Sequence, residues 1–111
     1  MKKALFLCLL GFSVGASSAP HNLQIPSDPN ATYTVIDTGK QGDLVTITTK
    51  REGKSGVSFS KRAYDCGLWQ VMYLGTGESL EEMKSSKPDD HLSPIFEGSI
   101  ADYVGAAACK K

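Results

Sequence analysis

The sequence predicts a small α+β domain: an antiparallel sheet of four or more strands closed by a C-terminal helix through one disulfide. Three observations carry this expectation. Short runs rich in β-branched and aromatic residues recur between glycine-bearing turns from Thr32 to Gly77. A capped segment with an apolar stripe follows from Ser99 to Cys109. Cys66 and Cys109 are the two cysteines left once an N-terminal targeting segment is removed.

That targeting segment has the three-part layout of a secretory signal peptide. Lys2 and Lys3 precede an apolar run from Ala4 to Val14, and small residues follow from Gly15 to Ala19. The signal peptide is expected to span residues 1–16, and small residues at the recognition positions also allow cleavage after Ser18. Cys8 lacks the preceding small residues that lipoprotein processing needs, so it is read as apolar filler removed with the peptide. The apolar run is too short for a transmembrane helix. The mature chain is therefore expected to carry no transmembrane segment and to be periplasmic, cell-surface or secreted.

An oxidising compartment favours pairing of Cys66 with Cys109. The alternatives are two free thiols or a metal site, and two cysteines without a nearby histidine make a poor zinc set. A domain this small buries only roughly 60–70% of its unfolded surface, so a staple matters. Closing the Cys66–Cys109 loop contributes about 4 kcal/mol on the chain-entropy model.

In chain order, residues 17–31 read as an extended leader, with Pro26, Pro29 and turn formers between them, and residues 32–111 as the single domain. A terminal copper site at His21 is excluded, because cleavage after Ser18 would put Pro20 second, where no N–H is available to bind the metal. Thr32 to Asp37 and Asp43 to Lys50 predict a hairpin joined by the turn Thr38–Gly42, with Val45, Ile47 and Thr49 on one face. Arg51 to Gly56 predicts a second turn, followed by a strand from Val57 to Asp65.

Leu68 to Leu74 is apolar on both faces and predicts the middle of the sheet, closed by Gly75-Thr-Gly77. Glu78 to Lys84 predicts a short helix with Ser79 and Glu82 at capping-box spacing. The last helix has Ser99 as N-cap and Asp102 three residues on; Ile100, Tyr103, Val104 and Ala107 share a face that Cys109 does not. Either this helix unwinds near Ala107, or its small back face at Gly105 and Ala106 is also covered.

Asp65-Cys66, a following strand with Tyr73, then Pro94-Ile95-x-x-Gly98-Ser99 and Cys109 resemble the surface-adhesin E family of small exported bacterial proteins. The resemblance covers Tyr64 to Cys109. Glu97 stands where the family has proline, and Tyr103 where tryptophan is common. What the resemblance implies is an antiparallel sheet closed by a C-terminal helix through Cys66–Cys109, a homodimer as one assembly, and binding to host surface or matrix proteins.

The chain has no formal net charge, yet residues 40–62 hold six basic and two acidic residues while 65–102 hold two basic and eight acidic. The cations Lys50, Arg51, Lys54, Lys61 and Arg62 flank one predicted turn and form the candidate ligand-binding set, suited to a polyanion such as a sulfated glycan or lipopolysaccharide, or to an acidic partner protein. The same charges also suit a solvated hairpin that resists edge aggregation.

Other signals have structural readings. Gly53-Lys-Ser lacks the upstream glycine of a phosphate loop, and Gly98-Ser99 lacks the second glycine of a nucleophile elbow. Asp89-Asp90-His91 sits in a loop where adjacent side chains rarely converge on one metal, and Phe59, Trp69 and Tyr73 are candidates for a binding face whose strand spacing better suits a core. The expectation is a non-catalytic, adhesin-like binding protein with no cofactor, no metal and no sequence-specific nucleic-acid partner. Two alternatives are an inhibitor or immunity-type protein that blocks an extracellular enzyme such as a lysozyme, and a structural accessory subunit of an envelope complex.

Overall fold

The computed structural model describes residues 20–111; the signal-peptide reading, its cleavage alternatives and Cys8 lie outside the described residues. Six strands form one sheet: β1 (His21–Leu23), β2 (Thr32–Gln41), β3 (Leu44–Gly53), β4 (Gly56–Asp65), β5 (Gln70–Gly77) and β6 (Ser93–Pro94). They lie side by side in chain order and every neighbouring pair is antiparallel. Two short helices complete the described residues, α1 (Leu80–Ser85) and α2 (Ile100–Cys109). The architecture is thus mainly sheet, with the helical part small, and the expected C-terminal helix and disulfide are both present.

Residue register assigns two faces, because directly paired residues of antiparallel strands point the same way. Val35, Ile47, Tyr64 and Val71 lie on the face that α2 covers and form the core with Val104 and Ala108 of that helix. The Tyr64 hydroxyl donates to the Ala101 carbonyl at 2.7 Å, which fixes the helix along the sheet. Burial raises the pKa of that phenol, so it stays a donor at any physiological pH.

Helix α2 runs unbroken to Cys109, which settles the question its sequence left open: the small back face is covered. A Cβ at Gly105 would lie 2.5 Å from Cε2 of Tyr64 and 3.0 Å from the Trp69 ring, so only glycine allows this approach. Ser99 caps the helix by accepting from the Asp102 amide at 3.1 Å, and the Asp102 carboxylate accepts from the Gly98 amide at 2.9 Å. The Cys66–Cys109 disulfide, with a Cα separation of 5.8 Å, ties the helix end to the β4–β5 turn. In that turn Asp65 accepts from the amides of Gly67 and Leu68, Trp69 adopts a left-handed φ of 57°, and the Lys111 ammonium sits 4.1 Å above the Trp69 ring.

Several expected boundaries move. The 17–31 segment is more than a leader: His21–Leu23 pairs with Tyr33–Val35 as an edge strand, and Ile25 is 5% exposed in the core. Strand β2 continues through the expected Thr38–Gly42 turn as far as Gln41, leaving only Gly42-Asp43 to reverse the chain. The Arg51–Gly56 turn likewise shrinks to Lys54-Ser55. Gly75-Thr-Gly77 does not close β5 but belongs to it. In each case a partner strand supplies ladder hydrogen bonds, and tertiary pairing overrides the local preference of turn-forming residues.

Candidate functional site

The second face of the sheet is only partly covered. Helix α1 has Ser79 as N-cap, accepting from the Glu82 amide at 3.1 Å, while the Glu82 carboxylate accepts from the Glu78 amide at 2.8 Å. Six residues make a helix that is marginal in isolation, so it depends on docking. Docking runs through Met83, which is buried against β5. A Cβ at Gly75 would collide with the Met83 carbonyl, and one at Gly77 with Glu82 and the Met83 amide. The two glycines are what let helix backbone rest on strand backbone.

Beside α1 lies a cleft of about 460 Å³ whose position follows from two β-bulges. In β2 the register steps from Val35↔Thr49 to Asp37↔Thr48, so Ile36 is an extra residue. In β5 it steps from Tyr73↔Arg62 to Gly75↔Lys61, so Leu74 is extra. Thr48 and Lys61 are themselves paired, so both bulges oppose a single cross-strand row from opposite sides. A bulge bends its strand and re-aims the inserted side chain. Ile36 and Leu74 consequently line the same cleft as Thr48 and Lys61, with Leu80, Met83 and Lys84 of α1 as one wall and Asp37 and Gln41 on the other side.

The electrostatics are simple. Two ammonium groups, Lys61 and Lys84, and one carboxylate, Asp37, border the cleft. Neither lysine forms an ion pair among the described residues. Lys50, one row from Lys61 on the same face, lies 3.9 Å from the Glu52 carboxylate in an exposed pair of small energetic weight.

The five cations singled out in the sequence do not form one patch. Lys50 and Lys61 project on the α1 face; Arg51 and Arg62, their chain neighbours, project on the α2 face; Lys54 is in the turn. Adjacent strand residues point to opposite faces, so two Lys-Arg pairs necessarily divide this way.

The arginines have internal roles. Arg51 Nε donates to Asp28 Oδ2 at 2.8 Å and the Tyr33 hydroxyl donates to the same oxygen at 2.7 Å, pinning the segment before β2 to the sheet. The Arg51 hydrogen bond first, then that of Tyr33, holds the Asp28 carboxyl below its ordinary pKa. Arg62 is 4% exposed and its hydrogen-bond partners are hydroxyls: Nη1 donates to Thr49 Oγ1 at 3.2 Å and Nη2 to the Tyr73 hydroxyl at 3.0 Å, while Nε has no partner among the described residues.

No family model, curated protein or solved structure matches the chain. The cleft therefore stands on its own geometry. Among the described residues no group of three or more His, Cys, Asp or Glu side chains is placed to hold a metal, and no helix is long and apolar enough to cross a membrane.

Phe59, Trp69 and Tyr73, expected to suit a core, are half-buried and outside it, and they do not share a surface either: register places Phe59 on the α1 face and Tyr73 on the α2 face, and Trp69 lies in the β4–β5 turn. Of the sequence-based candidates only Lys61 lines the cleft; Ile36, Leu74, Leu80 and Lys84 were not anticipated. One signal for them was present. Glycine inside an otherwise strand-like run marks a bulge or a close backbone approach, and Gly75-Thr-Gly77 is both.

Proposed function

We propose that the protein is an exported, non-catalytic binding protein, adhesin-like in using an exposed sheet face to hold an anionic host or envelope macromolecule. The observation that carries this reading is the pair of bulges meeting on the Thr48–Lys61 row. They hollow one side of the sheet and set Lys61 there with Lys84, while Lys50 flanks them on the same face. The Cys66–Cys109 bridge supports an oxidising compartment, periplasmic or outside the cell. The likeness of Tyr64 to Cys109 to surface-adhesin E proteins points the same way.

Heparin chromatography tests the reading with a surrogate polyanion. Retention is expected to fall steeply between low and physiological salt, since contacts with a polyanion are counterion-linked. It should drop markedly in the triple variant Lys50→Ala, Lys61→Ala, Lys84→Ala, and much less in Lys54→Ala, whose lysine lies off this face. Equal losses in both variants, or retention insensitive to salt, would remove the lysine face from the mechanism.

A further inference from the structure

We infer that the cleft takes one single-chain amphiphile with an anionic head, its tail between the strand residues Ile36 and Leu74 and the α1 wall at Leu80 and Met83, and its head at Lys61 and Lys84. This rests on the binding-protein reading above and names the ligand of its central site. Three features of the cleft select this chemistry.

The first is shape. Small-molecule pockets typically enclose about 300–1,000 Å³, and this one at about 460 Å³ falls within that range while being only partly enclosed. A ligand that buries one part and leaves another in solvent suits such a cleft. The second is the lining, which is divided: four aliphatic or thioether side chains come from three different elements, β2, β5 and α1, and one of them, Leu80, leaves 41% of its surface exposed. An exposed leucine next to a hydrophobic floor costs hydration that an apolar tail would relieve.

The third is charge. Lys61 and Lys84 supply two point charges with no ion-pair partner among the described residues, and Asp37 supplies one opposing charge. The net positive rim favours an anionic head and disfavours a cationic one. A lysine pair accepts a phosphate or a carboxylate without the fixed planar geometry that arginine would impose. The docking of α1 on Gly75 and Gly77 makes the wall part of the site, because Leu80, Met83 and Lys84 move with that helix.

Isothermal titration of the disulfide-intact chain with dodecyl phosphate, below the concentration at which it forms micelles, reads this directly. The expected result is saturable binding of one molecule per chain, with inorganic phosphate and dodecanol each binding at least about tenfold more weakly. Lys61→Ala with Lys84→Ala should weaken dodecyl phosphate about tenfold and leave dodecanol unchanged. Leu80→Asn, at a position 41% exposed, should weaken both.

Amide shifts at Ile36, Leu74 and Leu80 should move together on titration. Uptake of several molecules without saturation, or shifts confined to other residues, overturns the inference. If dodecyl phosphate fails to bind while heparin retention still depends on the same lysines, the amphiphile inference is wrong and the polyanion reading stands. If dodecyl phosphate binds in the cleft and heparin does not, the inference stands and the polyanion reading falls.

Discussion

Gly75→Ala should disable the cleft through a single methyl group. The new Cβ would overlap the Met83 carbonyl, which is backbone and cannot swing aside as a side chain would. Either β5 or α1 must give way. Strand β5 is hydrogen-bonded to β4 along its length, whereas α1 is one six-residue helix held mainly by Met83, so α1 yields.

The cost is bounded by what undocking exposes: full burial of one methionine side chain is worth about 1.5–3 kcal/mol, and overpacking penalties fall in the same range. For a domain of this size each kcal/mol moves Tm by roughly 4–8 °C, so a fall of about 6–24 °C is expected by circular dichroism. Dodecyl phosphate binding should be lost with it, because Leu80, Met83 and Lys84 leave the site. Gly67→Ala is the control: its Cβ would meet nothing closer than 3.5 Å, so a change within about 1 kcal/mol is expected. A Gly75→Ala variant with unchanged Tm and full binding would refute the claim that helix backbone on strand backbone builds the cleft wall.

Three further outcomes follow from the contacts described. The paired change Cys66→Ser with Cys109→Ser should lower stability by about 4 kcal/mol in chemical denaturation, and the native chain should show no alkylatable thiol at these positions before reduction; two reactive thiols would contradict the bridge. Asp28 has a depressed folded pKa, so its contribution is fully present above the unfolded pKa and is lost as pH falls through the folded one. Tm measured from pH 7 down to about pH 2 should therefore fall more in the native chain than in Asp28→Asn, and parallel curves would show that the Arg51–Asp28–Tyr33 contact contributes nothing. Arg62→Met should be neutral or stabilising by about 1–2 kcal/mol, since it removes a buried charge with no carboxylate partner among the described residues and keeps most of the volume; a loss of more than about 2 kcal/mol would mean that Thr49 and Tyr73 more than offset the burial.

The features legible in the sequence are those with a fixed local period or a short-range rule. The faces of β3, the caps at Ser79 and Ser99 and the pairing of two remaining cysteines all depend on residues a few positions apart or on simple parity. The cleft depends on something different in kind. A bulge is one extra residue relative to a partner strand, and neither the Ile36 nor the Leu74 insertion disturbs its own sequence in a way that alternation reveals. That both insertions meet the Thr48–Lys61 row is a property of register across four strands.

The basic run shows the same limit from the other side. Its division between faces was available from strand alternation alone, because Lys50-Arg51 and Lys61-Arg62 are adjacent pairs. The chemistry then follows the split. On the α2 face the two guanidinium groups are held by internal partners, the Asp28 carboxylate for Arg51 and two hydroxyls for Arg62, where several directed donors on a planar group are an advantage. On the α1 face the ammonium groups stay at the surface, and Lys61 stands without an ion-pair partner among the described residues beside a partly apolar hollow. A charge held in a fixed hydrogen-bond geometry inside the fold is unavailable to a ligand, and a free charge beside exposed apolar surface is available to one. Of the two pairs, Lys61 and not its neighbour Arg62 is therefore the charge that a ligand of the cleft would meet.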